Sequence, residues 1–178
     1  SGFSSPSWRI LYANSSDGLT WTKRGIAVNV SSPGGYDSSF AYYPSVIKTA
    51  EYEMWYTGLD GLRMNILYAN STDGLNWTKH TEPLNPDGPG IVHGDANVMA
   101  PAVAFDGDRY HMFFDRFDGL RARTMRAISD SGLEWTEMGL ALDVNTTSSY
   151  DSYRANRCCV LTEGNETKVW YTGYNNNF

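Results

Sequence analysis

Three aspartates stand at corresponding points along the chain, in Tyr36-Asp37-Ser38, Gly94-Asp95-Ala96 and Tyr150-Asp151-Ser152. Carboxylates repeated in this way can do one of two things. Gathered at one opening, they form a ring of acceptors for hydroxyl groups or a cation. Kept apart, each caps its own turn by accepting backbone N–H groups. Asp115 and Arg116 differ, because they occur once, where the corresponding stretches read Thr57-Gly58 and Thr172-Gly173. A charged pair confined to one repeat is a candidate for ligand contact or for an internal salt bridge. His93, just before Asp95, and Arg154, just after Asp151, are single occurrences of the same kind. Tyr42, Tyr43 and Tyr153 could stack on a flat ligand face. No Cys or His set has zinc-ligand spacing, so no metal site and no cofactor is expected.

The elements that position these residues are read from an internal repeat. Ile10-Leu-Tyr-Ala-Asn-Ser-Ser-Asp-Gly-Leu-Thr-Trp21 returns as Ile66-Leu-Tyr-Ala-Asn-Ser-Thr-Asp-Gly-Leu-Asn-Trp77, and a worn copy runs Thr124-Met-Arg-Ala-Ile-Ser-Asp-Ser-Gly-Leu-Glu-Trp135. A second block keeps phase with the first: Pro44-Ser-Val-Ile47 then Glu53-Met-Trp-Tyr-Thr-Gly58, Pro101-Ala-Val-Ala104 then His111-Met-Phe-Phe-Asp-Arg116, and Arg157-Cys-Cys-Val160 then Lys168-Val-Trp-Tyr-Thr-Gly173. The pieces are short runs rich in Val, Ile, Tyr, Trp and Met, such as Tyr42 to Ile47, Tyr52 to Thr57 and Asn65 to Ala69, set between Gly, Asp, Asn and Ser clusters. That is the signature of strands. No window of helical length holds an uninterrupted 3.6-residue apolar stripe. Asp17-Gly18 and Asp73-Gly74 supply the left-handed backbone of tight hairpins, with the Trp three residues on leading the next strand.

The chain is therefore expected to be all-β, built of propeller blades of four antiparallel strands, with repeats at approximately 9–63, 64–121 and 122–178 of a single domain. If the PSVI-type strand is innermost and the Trp-led strand outermost, the chain begins at a third strand and stops after a second. It then holds two whole blades and two complementary half-blades. Half-blades leave unpaired edges that invite another strand. A closed ring of three blades falls below the usual range of about 4 to 8. The expectation is a slice of a longer propeller, or copies sharing blades head to tail in a ring or filament.

The succession PSVI, YEMWYTG and ILYANSTDGLNWTK resembles the five-bladed propeller superfamily of glycoside hydrolases that includes the arabinanases, invertases and levansucrases, families 43 and 32 among them. The SSDGLTW and STDGLNW turns are similar to the Asp-box turns of sialidases, one residue shorter between Asp and Gly. The resemblance implies a carboxylate base, a second Asp and a Glu acid on inner strands, since the chemistry needs two opposed carboxyl groups in different protonation states. In the family 43 pattern an Asp commonly precedes the Pro of the first inner strand. Here Tyr43 precedes Pro44, Ala100 precedes Pro101, and Asn156 precedes Arg157. Glu51 and Glu53 flank a second strand, Glu134 lies in a hairpin turn, and Glu163 and Glu166 fall in a loop, so no inner strand is expected to carry the acid.

Trp55, Tyr56, Phe113, Phe114, Trp170 and Tyr171 recur at equivalent positions and are expected to pack blade on blade, with Trp21, Trp77 and Trp135 anchoring outer strands. Cys158 and Cys159 are adjacent, at positions read as those of Ser45-Val46 and Ala102-Val103. Neighbouring strand residues point to opposite faces, which leaves free thiols, a vicinal disulfide or an intermolecular bond. Six N-x-[ST] sequons, at Asn14, Asn29, Asn70, Asn76, Asn145 and Asn165, exceed the about two or three that composition would supply, and all fall in or beside turns.

With 178 residues, 14 Lys plus Arg, 20 Asp plus Glu and a formal charge of −6, the chain has the size of one domain able to bury roughly 70% of its unfolded surface. Acidity without a basic cluster excludes nucleic acid as an expected partner. Val98 to Phe105 is far too short to span a bilayer. The first residues lack the regions of a signal peptide, so either none existed or it was removed. The sequence reading is an extracellular or cell-surface, glycosylated, carbohydrate-associated propeller that binds glycans without catalysis. Its alternatives are a subunit assembling head to tail into a filament or surface layer through half-blade completion, and part of an active glycoside hydrolase.

Overall fold

A computed structural model of the chain describes residues 7–80, 82–84, 97–144, 150–164 and 166–175. The described residues hold twelve strands and no helix: β1 (Ile10–Asn14), β2 (Thr22–Val28), β3 (Phe40–Lys48), β4 (Tyr52–Leu59), β5 (Met64–Ser71), β6 (Thr78–Lys79), β7 (Asn97–Phe105), β8 (Tyr110–Phe117), β9 (Ala122–Ser129), β10 (Thr136–Leu142), β11 (Arg154–Glu163) and β12 (Glu166–Tyr174). β3-β4-β5-β6 form one antiparallel four-stranded unit and β7-β8-β9-β10 a second. β1-β2 and β11-β12 are two-stranded pieces at either end, corresponding to the outer pair and the inner pair of a unit. A short parallel pairing of Arg154 and Ala155 with Ala122 and Arg123 ties β11 to β9. At the equivalent seams Trp8 bridges Phe40, and the Asn97 side chain accepts the Met64 N–H at 3.0 Å.

The hairpins joining third to fourth strands fold as their sequence dictates. In the first, Asp17 accepts the N–H groups of Leu19 and Thr20 at 2.8 Å each, Ser15 accepts those of Asp17 and Gly18, and Gly18 sits at φ 73°. Asp73, Ser71 and Gly74 repeat the arrangement. In the third turn Ser131 replaces the Asp and accepts the same two N–H groups at 3.3 and 3.2 Å. Each following Trp returns its indole N–H to the turn glycine, Trp21 to Gly18, Trp77 to Gly74 and Trp135 to Gly132.

Alternation along β4 builds two cores. Met54 and Tyr56 pack with Leu67 and Ala69 against Ile10, Val28 and Ala41. Trp55, one residue out of phase, packs with Ile66 and Tyr68 against Val98, Tyr110, Met112, Phe114 and Trp135. Between the units lies a buried carboxylate: Glu53 accepts the hydroxyls of Tyr68 (3.1 Å), Tyr110 (3.0 Å) and Thr49 (2.7 Å). Glu53 belongs to β4 rather than flanking it, and Glu163 and Glu166 end β11 and open β12 rather than lying in a loop. Their loops shorten to tight hairpins because cross-strand pairing continues to Glu163 opposite Glu166.

The end pieces present what the whole units bury. Trp170 is 56% exposed where its equivalent Trp55 is 0%, and Leu11 is 68% exposed where Leu67 is 2%. For Trp170 and Tyr171 the expected blade packing is therefore absent within the described residues.

Candidate functional site

β3, β7 and β11 are the first strands of successive units and lie side by side, joined by the Val103 N–H to Ser45 Oγ bond at 2.9 Å and the Thr162 hydroxyl to the Phe105 carbonyl at 3.4 Å. Each carries a bulge that skips a pairing, between Tyr42 and Ser45, Met99 and Ala102, and Asn156 and Cys159. At each bulge one non-glycine residue is left-handed: Tyr43 at φ 50°, Ala100 at φ 52° and Arg157 at φ 56°. These are the only positive-φ residues other than glycine among the described residues. Such a backbone costs about 1–2 kcal/mol per residue and survives only where its surroundings enforce it.

The enforcing contact comes from the preceding unit. Thr57 accepts the Ala100 N–H on its hydroxyl at 2.9 Å. Asp115 stands in the place of Thr57 and accepts the Arg157 N–H on both carboxylate oxygens, at 3.0 and 3.1 Å. Asp115 is 1% exposed, and burial lifts its carboxyl to about 7 against the opposing pull of the Arg157 N–H and guanidinium. It can act on a ligand only through Arg157. Arg116 points the other way along β8 and pairs through two nitrogens with Glu137, at 3.0 and 2.5 Å, so Asp115 and Arg116 do not pair with each other.

The bulges also correct the register of the third repeat. Arg157, not Asn156, is the counterpart of Tyr43 and Ala100. Cys158 and Cys159 accordingly occupy the positions of Pro44-Ser45 and Pro101-Ala102. Both are free thiols rather than a vicinal disulfide. Cys158 lies 3.2 Å from the Thr124 hydroxyl, and burial pushes its thiol up to about 11. Arg157 is a site residue that the sequence reading does not single out, since nothing in its type marks a left-handed bulge. The constant interval of 57 residues from Tyr43 to Ala100 to Arg157 was the available signal.

Of the recurring aspartates, Asp37 and Asp151 do structural work. Asp37 is 1% exposed and takes the Tyr56 hydroxyl (3.0 Å), the Ser31 N–H (3.1 Å) and the Lys79 ammonium (2.8 Å). Asp151 takes the Tyr171 hydroxyl at 3.0 Å. Gly58 and Gly173 are required beside them, since a Cβ would come within 2.8 Å of the Tyr36 carbonyl and 2.9 Å of the Tyr150 carbonyl. The middle unit has Phe114 for the tyrosine and Arg116 for the glycine. Asp95 and His93 lie outside the described residues, as do Asn145 and Asn165.

Around the bulges the remaining candidates gather in two groups. Tyr42 and Tyr43 lie with ring centroids 4.6 Å apart, and burial pushes the Tyr42 phenol up to about 12. The Arg157 guanidinium lies 5.5 Å from the Tyr43 ring. Arg154 lies 5.5 Å from the Tyr153 ring and 6.0 Å from that of Tyr174. Tyr153, Arg154, Asn156, Arg157, Thr172 and Tyr174 line a cavity of about 470 Å³. Of the described sequons, Asn14, Asn29 and Asn76 are exposed, whereas Asn70 is half-buried with its amide donating to Glu51 at 2.9 Å. No group of three or more His, Cys, Asp or Glu able to hold a metal occurs among the described residues.

No family model matches the chain. A protein of Mycobacterium tuberculosis whose function is uncharacterised is 31% identical over 141 residues, spanning 74% of this chain and 46% of the relative. Among solved structures, a Bacteroides thetaiotaomicron protein provisionally assigned as a glycosidase aligns with TM-score 0.77 at 18% identity, over 96% of this chain and 54% of its own. The β-1,2-mannobiose phosphorylase of Listeria innocua aligns with TM-score 0.73 at 13% identity, over 94% and 46%. A family 117 glycoside hydrolase of Zobellia galactanivorans gives TM-score 0.66 at 15%, over 92% and 52%. The chain thus spans about half the length of the proteins it matches, and its fold is the all-β, propeller-type fold of these glycosidases.

Proposed function

We propose that the chain is a glycan-binding, non-catalytic propeller module that works outside the cell. The observation that supports it best is the row of bulges: at the three strained positions the inner strands offer Tyr43, Ala100 and Arg157, a stacking ring, a gap and a hydrogen-bonding cation, where acid/base chemistry would need carboxyl groups. Glu163, the acid on an inner strand, is at the opposite end of β11 and pairs with Lys168 at 2.6 Å. Aromatic rings and a few fixed polar groups suit sugar rings, which present an apolar face and equatorial hydroxyls. Exposed Asn14, Asn29 and Asn76 support the extracellular reading.

The test is a glycan array probed with intact protein from a glycosylating secretory host, followed by incubation of each bound glycan and analysis of its chain length. Binding without cleavage, with glycan mass on the three exposed asparagines, is the expected result. Cleavage of the bound glycan would replace this reading with that of a hydrolase.

A second reading, assembly, is favoured by the exposed edges of β1 and β12. Strands equivalent to these pair with each other in both whole units. A second copy supplying its β1-β2 to β11-β12 would complete a unit.

A further inference from the structure

The cavity beside Arg157 carries two arginines that form no salt bridge among the described residues, Asp115 acting on the Arg157 guanidinium only from a distance. Arg154 and Arg157 are both exposed, and among the described residues neither guanidinium has a carboxylate within ion-pair distance, in a chain of net charge −6. Elsewhere Arg116 takes Glu137, Arg109 takes Asp130, and Arg123 takes both Asp118 and Asp143. Here the carboxylate at hand, Asp115, is spent on the Arg157 backbone instead. That bond fixes the main chain from which the guanidinium projects while leaving the guanidinium its full complement of donors.

Both arginines lie within cation–π distance of aromatic rings, Arg157 of Tyr43 and Arg154 of Tyr153 and Tyr174. A cation–π contact with a ring takes up none of the guanidinium N–H donors, and their planar fork matches the two oxygens of a carboxylate or of an anionic sulfate ester. The lining adds an amide from Asn156, a hydroxyl from Thr172 and two phenols. No carboxylate lines it among the described residues. The 470 Å³ volume is that of a pocket for one or two sugar rings.

We infer that this cavity selects sugars bearing an oxyanion, the carboxylate of a uronic acid or an ester equivalent, with Arg157 and Arg154 taking the anion and the tyrosines the ring. The inference rests on the glycan-binding reading and names its ligand class.

Calorimetric titration of the intact protein with tetragalacturonate, with its carboxyl-reduced neutral counterpart and with inorganic phosphate separates the two. The acidic sugar should bind about tenfold more tightly than the neutral one, in line with a charge-assisted, bidentate contact. Arg154→Gln and Arg157→Gln should each erase most of that preference, lowering acidic-sugar affinity far more than neutral-sugar affinity, with the all-β circular dichroism spectrum retained. Arg157→Lys, which keeps the charge without the fork, should fall between. Equal binding of both sugars would overturn the inference and leave glycan binding standing. Binding of neither, with other array glycans bound, would do the same. Phosphate binding as strong as that of the acidic sugar would identify a bare anion site and overturn the sugar's part in it. No glycan bound anywhere on the array would remove the underlying reading as well.

Discussion

Asp115 shows how one residue changes the physics of a repeated position. Thr57 and Asp115 meet the same demand, an acceptor for the N–H of a left-handed residue in the next unit, but only Asp115 must be desolvated as an anion. Its folded pKa, about 7, lies above the ordinary 3.8. A carboxyl whose folded pKa is raised favours the folded state while protonated. That contribution is complete below pH 3.8 and is lost as pH rises to about 7, beyond which the loss is constant. The shift corresponds to on the order of 4 kcal/mol. Asp115→Asn keeps an acceptor oxygen for Arg157 and cannot ionise. Urea midpoints measured from pH 4 to 8 should therefore fall more steeply for wild type than for the Asn variant, and the variant should be the more stable above pH 7. Parallel profiles would show that Asp115 does not ionise at a cost in the folded protein.

At the scale of elements, the turns are where one substitution can be read against its own siblings. Ser131 accepts the N–H groups of Leu133 and Glu134 through longer bonds than Asp17 and Asp73 make to their counterparts. The carboxylates of Asp17 and Asp73 are held well below the usual range by those backbone N–H groups. Ser131→Asp should install the stronger, charge-assisted acceptor and raise the melting temperature by a few degrees at neutral pH, equivalent to about 0.5–1 kcal/mol. Since the new carboxyl would have a lowered folded pKa, the gain should be present above pH 4 and disappear in acid. An unchanged melting temperature at pH 7 would mean that the third turn is set by the buried Trp135 and Gly132 rather than by its acceptor.

These turns, the strands they join and the order of the strands were legible in the sequence because period-two patterning and Asp-Gly pairs report directly on backbone geometry. The register of β11 was not. A left-handed residue is normally flagged by Gly or Asn, and Arg157 carries no such mark, its N–H being held by Asp115 from another strand. The same gap hid the site. Arg154, Tyr43 and Tyr153 could be named from their types and places, but the approach of Arg157 to the Tyr43 ring joins residues 114 positions apart that spacing does not pair. For the recurring aspartates Asp37 and Asp151, spacing leaves a capping role and a ligand role both open, and the tyrosine and lysine partners that occupy them appear only in the fold. Those partners lie on other strands and cannot be paired with them by spacing alone.

At the scale of the whole chain, the described residues form two complete units flanked by two complementary pieces, and the complete units specify how such pieces fit. In β4-β5 Trp55 lies opposite Tyr68, Tyr56 opposite Leu67 and Thr57 opposite Ile66. By equivalence, Trp170 would lie opposite a Tyr12, Tyr171 opposite a Leu11 and Thr172 opposite an Ile10 supplied by a second copy. The driving force is the apolar surface exposed on both edges, worth about 1.5–3 kcal/mol for each large side chain buried, together with a ladder of backbone hydrogen bonds. If the assembly reading holds, light scattering should show mass rising with protein concentration. Leu11→Lys on one edge or Trp170→Lys on the other should weaken association by about tenfold or more. Neither change removes a residue from the two buried cores, so far-ultraviolet circular dichroism should be retained. Mixing the two variants should restore only dimers, since each keeps one intact edge and the two intact edges are of opposite kind. A mass that stays monomeric at every concentration, with unchanged tryptophan emission, would rule out pairing between copies and leave the glycan-binding reading to stand without it.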